Sequence, residues 1–130
     1  MEKETLIPAN LPSWVKKMTL PLSPAVKGGG FVFVSGCTGL LDRKTEALVE
    51  GIEVQTRETL ELIKDTLEAA GSSLDKVIKV TVFLRNAEDF PKMNEVYRTF
   101  FTKDPPARST IVAGLVLPQM LIEIECTALV

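Results

Sequence analysis

The stretch Leu121–Val130 constrains this chain more than any other. In Ile122-Glu123-Ile124-Glu125-Cys126 apolar and acidic side chains alternate, and a period of two belongs to a β-strand with unlike faces. Ile122, Ile124 and Cys126 turn one way, and Glu123 and Glu125 turn the other. The acidic face also carries Leu121, Thr127 and Leu129, so water alone does not suit it. A sheet face that is half apolar and half acidic is expected to meet a partner chain. The competing reading places both Glu residues on the surface of an edge strand.

The remaining elements follow from periodicity. Ile52, Thr56, Leu60, Ile63, Leu67 and Ala70 recur at helical spacing and predict a helix from about Ile52 to Ala70. Gly71 is placed to end it in the left-handed conformation. Glu61, Lys64, Asp65 and Glu68 read as its solvated face. Val77–Leu84 is almost continuously β-branched or aromatic, which predicts a central strand covered on both faces. Asp89 can cap a second helix with Pro91 in its first turn; Met93, Val96, Tyr97 and Phe100 share its buried side. Gly28-Gly29-Gly30 opens the strand Phe31–Ser35 and lacks the Lys-Ser/Thr that a phosphate loop needs, so it reads as a hairpin connection. Residues 41–51 form a polar loop, and Ala107–Val112 is a further strand. Residues 1–20 read as an irregular arm containing the sole Trp14, with a short strand over Lys17–Leu20 as an option. The order is β-β-α-β-α-β-β: one α+β domain over residues 1–130, with both helices on one face of the sheet.

Composition narrows the chemistry. With 130 residues, 45% hydrophobic and 25% charged, the chain has the make-up of a globular domain. A net charge of −2 and a pI near 5.2 argue against a nucleic-acid binder. No apolar run reaches membrane-spanning length, and the first residues lack a signal-peptide core, which predicts a cytoplasmic location, with the mitochondrial matrix as the alternative. There is no His, so Ser-His, Cys-His and His-ligated metal sites are excluded. Cys37 and Cys126 lie far apart in apolar runs and read as buried free thiols, too few for a metal set. Proton transfer then falls to a carboxylate, Lys, Tyr, Cys or a held water.

Arg108 stands out among the polar residues. Pro105-Pro106-Ala107-Arg108-Ser109-Thr110 sets a fork of donors between a stiff turn and a β-forming run. A guanidinium matches a carboxylate or phosphate bidentately, so Arg108 reads either as a fixed anion hook or as an ordinary Arg at a strand entrance.

Six segments occur in an order that resembles a known family. They are Val34-Ser35-Gly36, Glu68-Ala69-Ala70-Gly71 at the end of the long helix, Lys79–Leu84, Phe90 with Asn94-Glu95-Val96-Tyr97, Pro106-Ala107-Arg108-Ser109, and Ile122–Glu125. Together they are similar to the Rid family of reactive intermediate deaminases, the YjgF/YER057c/UK114 family, whose members also carry the label endoribonuclease L-PSP. The resemblance runs from about Pro21 to Val130. It implies a chorismate-mutase-like α+β fold with a mixed sheet, assembled as a homotrimer with clefts between neighbouring subunits. It also implies hydrolysis of 2-imino acids and their enamine tautomers (2-aminoacrylate, 2-iminopropanoate, 2-iminobutanoate) to 2-oxo acids and ammonia, without metal or organic cofactor.

By the same resemblance, Arg108 pairs with the substrate carboxylate and Glu123 orients or deprotonates water, or passes a proton to the leaving ammonia. Ser35 and Asn94 match pocket positions, and groups near Cys37 and Thr110 complete the lining. Leu22 stands where many deaminating members carry a Tyr, in Pro21-Leu22-Ser23, which makes the pocket mouth more apolar. Read without the family, Ser35 could simply end a strand and Asn94 could be an ordinary helix residue. Two other functions stay open: a non-catalytic module binding small carboxylates, and an endoribonuclease or translation inhibitor, which the acidic charge disfavours.

Overall fold

The computed structural model describes residues 2–7 and 20–130; Trp14 and positions 17–19 of the optional strand lie outside them. Among the described residues six strands form one sheet: β1 (Glu4–Leu6), β2 (Ala25–Gly28), β3 (Phe31–Cys37), β4 (Val77–Leu84), β5 (Ala107–Val112) and β6 (Ile122–Leu129). Among the described residues two α-helices, α1 (Ile52–Ala69) and α2 (Phe90–Phe100), interrupt them. The spatial order is β1-β2-β3-β6-β4-β5. Only β4 and β5 run parallel, because the chain must return through α2 to reach β5.

Local chemistry accounts for the joints. The turn between β2 and β3 is the expected hairpin, with Gly29 and Gly30 at φ 62° and 84°. Gly71 leaves α1 at φ 82°, and the Gly71 and Ser72 amides donate to the Glu68 and Leu67 carbonyls at 3.1 and 2.8 Å. That pair of bonds is a Schellman cap. Asp89 does precede α2, but its side chain makes no capping hydrogen bond.

The core lies between the helices and one face of the sheet. Val32, Val80, Val82, Ile122 and Ile124 meet Leu60, Ile63, Leu67, Met93 and Tyr97 there. Every predicted stripe residue of α1 is buried, and Gln55, Thr59, Leu62 and Thr66 are buried beside them. Thr56, Thr59 and Thr66 tolerate this because each hydroxyl donates to the carbonyl one turn earlier, at 2.6 to 2.8 Å.

Four expectations are corrected. Among the described residues β4 is covered on one face only: Val80, Val82 and Leu84 are buried, while Ile78 is 42% exposed on the other side. Glu61 and Asp65 are not merely solvated, because Arg43 from the 41–51 loop pairs with both, at 3.2 Å to Glu61. Glu4–Leu6 is not irregular; it pairs with β2 through Glu4↔Lys27, Thr5↔Val26 and Leu6↔Ala25. Both cysteines are free, but only Cys126 is fully buried, with Cys37 half-buried. Among the described residues, no helix is long and apolar enough to cross a membrane.

Candidate active site

Strand register decides which side chains can meet. Val80 pairs with Arg108 and Val82 with Thr110, and both valines lie under the helices. Arg108 and Thr110 therefore project toward the helix face. Phe83 pairs with Glu123 while Val82 pairs with the buried Ile124, so Glu123 projects toward the open face. A single chain holds these two residues on opposite sides of its sheet, and the predicted site separates into two halves.

The first half is built on β5 and α2. The Arg108 guanidinium carbon sits over the Tyr97 ring, 4.6 Å from its centroid, and 5.7 Å from that of Phe90. Phe90, Asn94 and Tyr97 are spaced to share one side of α2, which brings Asn94 to the same half as Arg108. Among the described residues, no carboxylate forms an ion pair with Arg108. Tyr97 is buried, and among the described residues its hydroxyl makes no well-formed hydrogen bond, although it lies close to the Arg108 guanidinium. Burial pushes its phenol up to about 12, against a smaller downward pull from the Arg108 cation.

The second half is built on a bulge in β3. Val34 pairs with Cys126 and Cys37 with Ile124, which leaves Ser35 and Gly36 opposite Glu125 alone. A Cβ on Gly36 would lie 2.6 Å from Glu123 Oε2, so the missing side chain is what lets the carboxylate rest against the bulge. Burial, with the like charge of Glu125 adding to it, raises the Glu123 pKa above the ordinary carboxylate value.

Ser35 Oγ donates to the Ser23 carbonyl at 2.6 Å, and the Ser35 amide donates to the Pro24 carbonyl at 3.0 Å. These bonds tie the turn carrying Leu22, which is 58% exposed, to the strand beside Glu123. They also occupy the Ser35 hydroxyl proton, leaving that group as an acceptor. Cys37 Sγ donates to the Ser35 carbonyl at 3.4 Å. Burial, then Cys126 and Glu123, push its thiol far above its usual range. Cys37 pairs with the buried Ile124 and packs against the core, so its side chain lies on the helix side, away from Glu123, and is a poor nucleophile.

The link from β5 to β6, and so from Arg108 to Glu123, is pinned by two side chains. Arg85 donates through Nε to the Met120 carbonyl at 2.7 Å and through Nη2 to the Leu117 carbonyl at 2.8 Å. The Gln55 amide donates to the Gln119 carbonyl and accepts from the Leu121 amide, each at 2.9 Å. Sequence reasoning missed these anchors, along with Gly36 and the place of Phe90 and Tyr97 beneath Arg108. Phe90 and Tyr97 at helical spacing just before Arg108 were the available signal.

The open sheet face is as mixed as the alternation predicted. Phe31 and Phe33 lie 6.2 Å apart between ring centroids, and Phe33, Ile111 and Leu129 are each 44% to 50% exposed on the sheet that also exposes Glu125. Among the described residues nothing covers this surface.

Comparison with known proteins places the chain. The family described as endoribonuclease L-PSP matches residues 16–130. A RutC family protein of Pyrococcus horikoshii is 46% identical over 127 residues, covering 97% of each chain. The 3-aminoacrylate deaminase RutC of Acinetobacter baylyi is 38% identical over 128 residues, 98% of each. Reactive Intermediate Deaminase A, chloroplastic, of Arabidopsis thaliana is 36% identical over 108 residues, 83% of this chain and 58% of that one. Among solved structures, an Entamoeba histolytica protein described as a putative endoribonuclease L-PSP superposes with a TM-score of 0.88 at 33% identity, over 99% of this chain and 100% of that one. Escherichia coli TdcF with bound serine superposes at 0.85 and 29% identity, over 98% of each. The chain belongs to the endoribonuclease L-PSP family, that is, the Rid (YjgF/UK114) family.

Proposed function

We propose that the protein is a hydrolytic deaminase of 2-imino acids and their enamine tautomers, acting as a homotrimer whose sites are shared between neighbouring chains. The observation that carries this reading is Arg108: its guanidinium rests on aromatic faces and pairs with no carboxylate of the described chain. Such a cation keeps its N–H edge available for an incoming carboxylate. The names of the RutC and Reactive Intermediate Deaminase A relatives support the reaction class, and the serine held by TdcF supports a small carboxylate as ligand.

The chemistry asks little of the protein beyond placement. An enamine such as 2-aminoacrylate takes a proton at C3 and becomes the 2-iminium acid. Its C2 is already electrophilic, so a held water suffices as nucleophile. Arg108 fixes the carboxylate, and the fixed carboxylate sets C2 relative to that water. Glu123 from the neighbouring chain accepts a proton as the C–O bond forms. It then returns a proton to nitrogen, and as the C–N bond breaks and ammonia leaves, the Glu123 carboxylate takes the hydroxyl proton so that the 2-oxo acid forms. A carboxyl group with a raised pKa takes up and returns a proton more readily than an ordinary Glu, which suits both transfers. Asn94, Thr110, Ser35, Leu22 and groups near Cys37 line the cleft in this reading.

The open face with its exposed Phe33, Ile111 and Leu129 suits burial against further copies. We place the protein in the cytoplasm, with an organelle as the alternative raised by the chloroplastic relative. No basic stripe accompanies Arg108 to favour RNA.

The test is to generate 2-aminoacrylate from serine with a dehydratase, trap it with semicarbazide, and add the purified protein. Flux diverted from the trap to pyruvate and ammonia supports the reading; trapping that is unchanged at any protein concentration refutes it.

A further inference from the structure

Resting on the reading of Arg108 as the carboxylate anchor, we propose that Phe90 and Tyr97 form an aromatic seat that positions it. They are positioning residues for substrate binding, although helical spacing marks Tyr97 as packing alone. A guanidinium has two kinds of surface, a flat face and an edge of N–H donors. A carboxylate partner would occupy the edge, the same surface a substrate needs. Aromatic rings hold the cation by electrostatic attraction to their faces and leave the edge unspent. Arg108 is held in this second way, over Tyr97 at 4.6 Å and near Phe90 at 5.7 Å.

The two rings differ in how firmly they are themselves held. Tyr97 is 6% exposed and packs on Phe101, with ring centroids 4.7 Å apart. Its buried hydroxyl makes no well-formed hydrogen bond but lies close to the Arg108 guanidinium, and Tyr97→Phe separates the contribution of the ring from that of the oxygen. Phe90 is 42% exposed at the first turn of α2, and Pro91 after it fixes the backbone there. The nearer, better desolvated ring should hold the cation more strongly, because cation–π attraction grows as water is excluded.

The experiment measures binding of 2-oxobutanoate, a stable carboxylate that is not turned over, by calorimetry on the whole protein, with 2-oxobutanamide as its uncharged counterpart. Tyr97→Leu is expected to weaken 2-oxobutanoate binding about tenfold and Phe90→Leu about threefold. Tyr97→Phe, which keeps the ring, restores binding to within about twofold of wild type. Both Leu variants also shrink the preference for acid over amide, whereas a merely loosened fold would weaken both ligands alike.

The seat is overturned if folded Phe90→Leu and Tyr97→Leu bind as wild type does. It is overturned too if Tyr97→Phe loses as much as Tyr97→Leu, or if acid and amide weaken in parallel. Should Tyr97→Leu fail to fold, Phe90→Leu decides alone, its ring being partly in solvent. Wild type that ignores 2-oxobutanoate, or Arg108→Ala that binds it normally, overturns the anchor itself and the seat with it. Loss in Arg108→Ala with no change in the Leu variants overturns the seat only.

Discussion

The two halves of the proposed site are built on opposite principles. The Arg108 half is rigid within the chain: a guanidinium set over two rings of a packed helix, one of them buried. The Glu123 half depends on a missing side chain, since Gly36 leaves the space its carboxylate occupies. A cation is weakly specified by distance alone, so faces hold it in place. A carboxylate that must exchange protons needs partial burial and a like charge nearby, which Glu125 supplies. The lesson is that the proposed binding group is fixed by packing and the proposed proton-transfer group by backbone geometry. Substitutions should damage the halves in different ways.

Arg108→Ala should have the largest effect, a loss of about 1000-fold in kcat/KM for imine hydrolysis, because truncating a desolvated charged anchor costs about 2–5 kcal/mol. Glu123→Gln should cost on the order of 100-fold, carried by kcat, with 2-oxobutanoate affinity little altered. Equal loss of affinity in both variants would erase the contrast between binding half and proton half. Gly36→Ala should cost about 10- to 100-fold in kcat, because a Cβ there displaces the Glu123 side chain. Its thermal midpoint should stay near wild type, since the displaced atoms belong to the end of a flexible side chain.

The smallest change is expected in Glu125→Gln. Glu123 has a raised pKa, so its carboxylate form, and with it the acid limb of kcat/KM, appears at higher pH than for an ordinary Glu. Removing the Glu125 charge should move that limb to lower pH while leaving the plateau rate nearly intact. For stability the sign is reversed. A carboxyl whose pKa is raised on folding binds its proton better in the folded state, so its contribution falls as pH rises from the usual Glu value through the raised one. A limb that does not move would show that Glu125 does not tune Glu123.

Much of this could be read from the residues. The α1 stripe and its Gly71 stop were legible because 3.6-residue spacing and a left-handed terminus are local properties. The faces of β6 were legible because the period-two alternation there is strict, and the open face beside Glu123 follows from it. β1 was not legible. Three residues, Glu4-Thr5-Leu6, carry no pattern of their own and become a strand only by pairing with β2, some 20 positions away. The apolar run of β4 misled for a related reason: its second face is left open by the described residues, and the proposed trimer would cover it. Met93, Val96 and Tyr97 announced themselves as buried, but spacing along a helix does not say which strand lies beneath. The contact of Tyr97 with Arg108 is a matter of register between α2 and β5. The Arg43 pairing with Glu61 and Asp65 escaped likewise, because a loop supplies the cation.

The central claim is that Arg108 of one copy works with Glu123 of another. Mixing denatured Arg108→Ala and Glu123→Gln chains in equal amounts and refolding them together tests it directly. In a closed ring of three, each cleft draws its Arg and its Glu from different chains, each intact half of the time, so about one quarter of wild-type activity should return. A mixture as inactive as either parent, from chains that demonstrably co-assemble, would contradict the account.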